Sequence, residues 1–150
     1  MSRDIGNAGY GLLDNGIVIA DSTSSRLHYR ANLVNANLVT TDANEDVTYY
    51  CDHCGGPGGS IVRYDAYGGG TTSGVINKIS QVRFQYWSYD EITHAVSGPF
   101  DIPTSNTGRV TITLTVVLTN VSGAPASVQS NVTVTSDVTL RNSPYMLNRY

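Results

Sequence analysis

Residues 109–119 read RVTITLTVVLT, a segment in which apolar and polar side chains alternate along nearly its whole length. Residues 128–140, VQSNVTVTSDVTL, repeat the pattern, with apolar residues at most even positions and polar residues at the odd ones. A period of two predicts long antiparallel strands with one buried and one solvent-exposed face. The short link between the segments contains glycine and proline, so we expect the two strands to form a hairpin.

Shorter β-branched or aromatic runs, bounded by turn residues, predict further strands earlier in the chain. These runs lie at 17–20, 26–31, 47–51, 60–67 and 79–89. Glycine clusters at 55–59 and 68–70 predict turns between them. The chain contains no evident repeat or linker, and we therefore expect a single domain over residues 1–150.

The composition favours an exported β-rich protein. Charged residues make up 14% of the chain, below the roughly 25% of an average soluble domain. The net charge is -3 and the basic residues are scattered singly, which argues against a nucleic-acid partner. No run reaches the roughly 18 apolar residues of a membrane span, and no signal peptide is recognisable. If the protein is exported, we expect its anchor and leader to have been removed from this chain.

The segment 3–10, RDIGNAGY, has a helical signal but is short. Isolated helices need about 12–15 residues to be stable in water, and Gly9 or Gly11 suits the end of a helix. We interpret the segment as the end of a longer helix that lies upstream of Met1.

Several motifs together resemble those of PilW-type minor pilins, and they occur in the same order over nearly the whole chain. They are RDIGNAGY at 3–10, LHYRANL at 27–33, NEDVTY at 44–49, ISQVRFQY at 79–86, and RVTI at 109–112 with DVTLRN at 137–142. The set is also similar to the J-type pseudopilins of type II secretion, and this alternative stays open.

The resemblance implies an α+β pilin-like head, in which the end of a truncated N-terminal helix precedes a mostly antiparallel sheet with a long C-terminal hairpin. The missing helix would anchor the subunit in the inner membrane, with the head in the periplasm, and would later pack in an extracellular pilus or a periplasmic pseudopilus. Such subunits prime assembly or lie at the filament tip, and their partners are other minor pilins and the major pilin. They are not enzymes.

The segment Cys51-Asp52-His53-Cys54 allows three interpretations. A thioredoxin-like dithiol needs a helix after the first cysteine, which Pro57 and the surrounding glycines prevent. A metal site needs more ligands, and only His28 and His94 remain as further histidines. We favour a local disulfide between Cys51 and Cys54, as expected in an oxidising compartment.

Asp42, Asn44 and Asp46 have the first three oxygen spacings of a calcium-binding loop. The loop pattern then fails, because Val47 replaces the required glycine and His53 replaces the bidentate glutamate. The pilin relatives carry A-D-L-N-G-D-G where this chain reads ANLVNAN at 31–37, so most carboxylates of that segment are also absent. We favour a structural turn, with an irregular calcium site as the alternative.

The remaining candidates concern binding rather than catalysis. The three histidines are far apart in sequence and no nucleophile motif is present, so we predict no catalytic or cofactor-binding residues. Trp87 and Tyr89 are candidates for an interaction surface, because tyrosine and tryptophan are favoured at interfaces. Ordinary cross-strand packing is the alternative. The apolar tail at 144–150 is a further candidate for docking on the sheet or on a neighbouring subunit.

A second functional hypothesis is a free-standing secreted β-sandwich that binds a ligand or a surface. A sandwich of this kind needs no truncated helix before its first strand, whereas a pilin head does. An apolar stretch of about 20 residues encoded upstream of Met1 would distinguish the two hypotheses.

Overall fold

The computed structural model describes residues 1–34, 38–55, 58–118 and 130–143. Within these residues the chain forms a four-residue helix, a short 3-10 turn and eight strands. In chain order they are α1 (Ser2–Ile5), the 3-10 turn (Ile19–Asp21), β1 (Arg26–Arg30), β2 (Asp46–Asp52), β3 (Ser60–Asp65), β4 (Thr71–Asn77), β5 (Ile79–Tyr89), β6 (Val96–Phe100), β7 (Thr107–Leu118) and β8 (Ser130–Thr139).

The strands form two four-stranded antiparallel sheets. Sheet one has the order β1-β2-β3-β4 and sheet two has the order β6-β5-β7-β8. β7 and β8 pair continuously from Arg109 opposite Thr139 to Leu118 opposite Ser130. The antiparallel pairing predicted from the alternating segments is therefore confirmed. The link expected to close the hairpin and the apolar tail at 144–150 both fall outside the described residues.

The predicted α+β fold class is wrong. Of the residues that the structure describes, 50% are in strands and only 6% are in helices, and α1 is a single turn of four residues. The backbone turns repeatedly after Ile5 and reaches a left-handed conformation at Gly9, where φ is 78°. α1 ends at Ile5, before Gly6, which keeps a right-handed conformation. Gly9 adopts its left-handed conformation without steric cost and allows the following turns to redirect the chain. The architecture is two antiparallel sheets with one helical turn at their start.

Both sheets contribute to one hydrophobic core, because alternate residues of each strand point inward. Its fully buried members are Leu27, Tyr29, Val47, Tyr49 and Ile61 of sheet one, Ile79, Phe84, Tyr86, Val110 and Ile112 of sheet two, and Leu140, which follows β8. Ile5 of α1 and the nearby Ala8 are fully buried in the same cluster. The N-terminal segment, residues 2–16, thus contributes Ile5 and Ala8 to the core. No helix of the described part of the chain is long and apolar enough to cross a membrane.

The loop between β1 and β2 is organised by one buried carboxylate. Glu45 is fully buried, and its Oε1 accepts hydrogen bonds from the backbone N–H groups of Leu33, at 2.6 Å, and Val34, at 2.9 Å. Its Oε2 accepts another from the N–H of Asp42 at 3.2 Å. A buried charge is tolerated when hydrogen bonds replace its hydration. Glu45 therefore gives this loop its shape.

Candidate interaction site

The N-terminal segment is held to sheet one by a polar cluster around Asp4. The Tyr49 hydroxyl donates a 2.7 Å hydrogen bond to the Asp4 carboxylate, and Nε of Arg63 forms an ion pair with the same carboxylate at 3.5 Å. The Tyr29 and Tyr49 rings stack with centroids 6.5 Å apart. Arg63 also donates to Oδ1 of Asn44 at 2.8 Å. The cluster fixes the position of α1 against sheet one.

The first three pilin-like motifs meet at the backbone level. The N–H of Gly9, in RDIGNAGY, donates to the carbonyl of Arg30, in LHYRANL, at 2.9 Å. The N–H of Ala31 then donates to the carbonyl of Glu45, in NEDVTY, also at 2.9 Å. Backbone hydrogen bonds therefore link RDIGNAGY to LHYRANL, and LHYRANL to NEDVTY, although the three motifs are well separated in sequence.

The last motif, DVTLRN, contacts the N-terminal segment through Arg141 and Asn142, which follow β8. The N–H of Arg141 donates to the carbonyl of Gly6 at 3.4 Å. The Asn142 amide donates to the carbonyls of Leu12 and Asp14, both at 2.8 Å. Three motifs from distant parts of the chain, LHYRANL, NEDVTY and DVTLRN, thus converge on the N-terminal segment, which carries the motif RDIGNAGY.

Burial raises the pKa of three tyrosines in the core. Loss of solvation is the main cause for Tyr29, Tyr49 and Tyr86. For Tyr49 the hydrogen bond to Asp4 and the negative charge of that carboxylate raise the pKa further. Burial and, for Tyr49, the interaction with Asp4 both disfavour the charged phenolate relative to the neutral phenol.

The raised pKa values predict alkaline unfolding. In the unfolded chain these tyrosines ionise near pH 10, whereas the folded state keeps them neutral to higher pH. Their contribution to stability is therefore complete below about pH 10 and is lost as the pH rises above it. We expect absorbance at 295 nm to report fewer than the ten tyrosines ionised while the near-UV circular dichroism is native. Ionisation of all ten with native dichroism would contradict the prediction.

Asp46, Asn44 and Asp42, the three calcium candidates, contact different residues. The Asp46 carboxylate lies 2.7 Å from Nε2 of His28, Oδ1 of Asn44 accepts from Arg63, and the Asp42 backbone is bound by Glu45. Each side chain or backbone group thus faces a different partner. In the described ranges no group of three or more histidine, cysteine or acidic side chains is arranged to hold a metal. The structural turn stays a prediction, with an irregular calcium site as its alternative.

The disulfide between Cys51 and Cys54 is confirmed. Cys51 lies in β2, Cys54 lies in the following turn, and their Cα atoms are 5.7 Å apart, within the usual range for a disulfide. The pair borders an open groove of about 620 Å³, which is also lined by Ser24, Arg83 and Asp101. The bond therefore shapes the rim of this groove.

Removal of the disulfide is expected to have a modest effect on stability. The closed loop spans three residue steps, and loop-closure entropy predicts less than the roughly 3 kcal/mol of a 15-residue loop. We expect the Cys51→Ser/Cys54→Ser variant to remain folded, with a urea midpoint equal to that of the reduced wild-type protein. Unfolding of the variant at 25 °C without denaturant would contradict this prediction.

Trp87 and Tyr89 are both packed against neighbours. The Arg109 guanidinium carbon lies 4.2 Å from the Trp87 ring centroid, and the indole N–H donates to Oγ1 of Thr111 at 2.9 Å. Tyr89 is 8% exposed, and its hydroxyl lies 2.6 Å from Nδ1 of His94. One face of the indole is therefore covered by the Arg109 guanidinium. The role of Trp87 and Tyr89 in an interaction surface stays a prediction.

A charged cluster on β1 was not predicted from the sequence. His28 lies between two carboxylates, with Nδ1 2.9 Å from Asp21 and Nε2 2.7 Å from Asp46. Arg26 forms an ion pair with Asp21 and Arg30 forms one with Asp46. Alternation places the three basic residues on one strand face, but the position of Asp21 depends on the loop before β1. Because carboxylates occupy both ring nitrogens, His28 is not arranged to activate a nucleophile.

Comparison of the chain with protein-family models, curated proteins and solved structures found no match. The resemblance to pilins therefore rests on the motifs themselves. The structure adds where these motifs lie in the fold and which of them contact one another.

Proposed function

We propose that this protein is a structural subunit of a bacterial surface filament, a minor pilin that acts through contacts with other subunits. The observation that supports this proposal best is the convergence of the pilin-like motifs on residues 2–16. Three of the motifs that carry the resemblance, LHYRANL, NEDVTY and DVTLRN, contact the N-terminal entry into the head, which carries RDIGNAGY.

The construction of this entry suits a head carried by an upstream helix. Asp4 is bound to sheet one through Tyr49. Ser2 lies 3.3 Å from Ser136 of sheet two, measured between the hydroxyl oxygens, and Ile5 is buried in the core. A displacement of the segment before Ser2 is therefore transmitted to both sheets. A subunit that is held only by its N-terminal end needs this kind of rigid attachment.

In this role the protein is held in the inner membrane by an apolar helix before assembly, with its head in the periplasm. Its partners are other minor pilins and the major pilin of the filament. After assembly it lies in an extracellular pilus or, if it serves type II secretion, in a periplasmic pseudopilus.

The two-sheet architecture favours a second candidate, a secreted β-sandwich that binds a ligand or a surface. Such a module also needs no chemistry and also works through its surface. It differs from a pilin in needing no anchoring helix and in having no part in filament assembly.

Deletion of the gene in the source bacterium distinguishes these candidates. We expect the deletion strain to lose surface filaments in electron micrographs and to regain them when the full-length gene is returned. Retained filaments with a loss of type II secretion would identify a pseudopilin. Normal filaments and normal secretion, with no apolar helix encoded upstream of Met1, would contradict the proposal and favour the secreted module.

A further inference from the structure

β8 is an edge strand of sheet two, paired with β7 on one side only. The N–H of Leu140 donates to the carbonyl of Gly108 in the continuous β7–β8 register. In an antiparallel pair the hydrogen-bonded positions alternate, so the even-numbered residues of β8 bond to β7. The N–H and C=O groups of Asn131, Thr133 and Thr135 therefore point away from the sheet. Among the described residues none pairs with β8 on this side.

Residues 131–135 are exposed on both faces of the sheet. Val132 is 43% exposed and Val134 is 50% exposed, although both lie on the face that is buried farther along the strand. α1 covers that face beginning at Ser136, whose hydroxyl lies 3.3 Å from that of Ser2. The exposed run is centred on Thr133.

Among the described residues, this run lacks the features that normally protect an edge strand. Natural edge strands are protected by lysine, proline, bulges or covering elements. β8 contains no proline and no basic residue, its single charge is Asp137, and its register with β7 is unbroken. An uncharged edge with exposed valines is a surface that favours pairing with another strand.

We propose that β8 pairs antiparallel with the β8 of a second copy of this chain, with Thr133 on the two-fold axis. The outward-pointing residues bond to each other, so Thr133 faces Thr133 of the second copy and Asn131 faces Thr135, with two hydrogen bonds per pair. Val132 then lies opposite Val134 of the second copy on the exposed apolar face. No charged residue falls within the paired run.

Other registers fit this edge less well. Centring the axis on Thr135 places Val134 opposite Ser136, the residue that already contacts Ser2. A register shift of one residue would place the outward-pointing N–H and C=O groups of one copy opposite even-numbered residues of the other copy. The N–H and C=O groups of those residues already bond to β7. The pairing at Thr133 joins the two sheets into one continuous sheet. It does not depend on the proposed filament role.

A single engineered cysteine tests the register. Hydrogen-bonded antiparallel partners have Cα atoms about 5.5 Å apart, which a disulfide can bridge. We expect Thr133→Cys to form a covalent dimer under mild oxidation, since Cys51 and Cys54 already form a disulfide with each other. Thr115→Cys is the matched control, because Thr115 faces Thr133 from β7 and lies one strand away from the axis. We expect the control to stay monomeric on a non-reducing gel.

Proline at the same position tests the backbone pairing. Thr133→Pro removes an N–H that points outward and leaves the bonds to β7 intact, a placement that edge strands tolerate. We expect sedimentation of the wild-type protein to show a reversible dimer, and Thr133→Pro to raise its dissociation constant by about tenfold or more. Thr133→Val, which keeps the N–H, should dimerise like the wild type. Circular dichroism of each variant checks that the fold is retained.

A wild-type protein that stays monomeric at about 0.5 mM, with no disulfide through Thr133→Cys, would overturn the proposal. Equal disulfide formation by Thr115→Cys and Thr133→Cys would overturn the register. A disulfide formed only with a different protein in the source cells would show that the edge has another occupant. The cysteine test keeps the proposal falsifiable even if Thr133→Pro does not fold.

Discussion

Replacement of Gly16 by alanine is expected to abolish folding or to lower the free energy of unfolding by more than about 4 kcal/mol. Gly16 has φ of 73°, and a Cβ atom there would collide with the backbone N of Gly9 and the carbonyl O of Arg30. The left-handed conformation alone costs a non-glycine residue about 1–2 kcal/mol. The collision adds to this cost because backbone atoms, unlike a flexible side chain, have no alternative rotamer. Gly9 and Arg30 are also joined by a hydrogen bond, which the displacement would break.

Two glycine controls separate these causes. Gly70 has φ of 62°, and a Cβ atom added there would have nothing within 4 Å, so Gly70→Ala measures the conformational cost alone. Gly74 also has open space and lies in β4 without a positive φ, so Gly74→Ala should change stability by less than about 0.5 kcal/mol. Urea unfolding gives all three values. A loss at Gly16 no greater than that at Gly70 would contradict the close approach described here.

Truncation of Ile5 to alanine is expected to lower the free energy of unfolding by about 2–5 kcal/mol. Ile5 is fully buried in the core cluster although it belongs to a four-residue helix. The loss combines the transfer free energy of the deleted atoms with the cavity that they leave. It is a large part of the roughly 5–15 kcal/mol that stabilises a domain. A loss of this size would show that α1 is an integral part of the β-sheet core.

Ile92 provides the matched control for Ile5. It is 90% exposed, so Ile92→Ala should change the unfolding free energy by less than about 0.5 kcal/mol. Urea midpoints and m-values of the two variants, measured in the same buffer, give the two changes in unfolding free energy. Equal effects of the two substitutions would mean that α1 is not packed as described.

The strands most visible in the sequence are those with strict alternation. The pattern in β7 and β8 is long enough to fix both the strands and their antiparallel relation. β4, with the sequence TTSGVIN, and β6, with the sequence VSGPF, contain glycine or proline and little apolar character. They were not predicted, because sheet neighbours rather than their own residues hold them extended. Conversely, the apolar run predicted as a strand at 17–20 forms an isolated bridge at Ile17 and a 3-10 turn.

The α+β prediction failed because it depended on family resemblance and not on the residues themselves. The signal in RDIGNAGY extends for only a few residues, and its glycines allow the backbone to turn. The disulfide was predicted correctly because the glycines and Pro57 leave no room for a helix after Cys51. The environment of Asp46 was not predictable in the same way, since His28 and Arg30 reach it only through the pairing of β1 with β2.

The convergence of the motifs on the N-terminal segment also lies beyond sequence patterns. Gly9, Arg30 and Glu45 become neighbours only when β1 and β2 are paired and the loop between them is closed around the Glu45 carboxylate. These are long-range contacts between main-chain groups, which leave no periodic signal in any one segment. The motifs could be recognised from the sequence, whereas their common location could not.

Affinity purification of the protein from solubilised membranes of its source cells tests the proposed filament role most directly. We expect other subunits with pilin-type N-terminal helices to be recovered with it, and Ile5→Ala, which loosens the attachment of the head, to reduce their yield. Ile92→Ala should leave that yield unchanged. Recovery of the folded protein without any pilin-type subunit would contradict the proposed filament role.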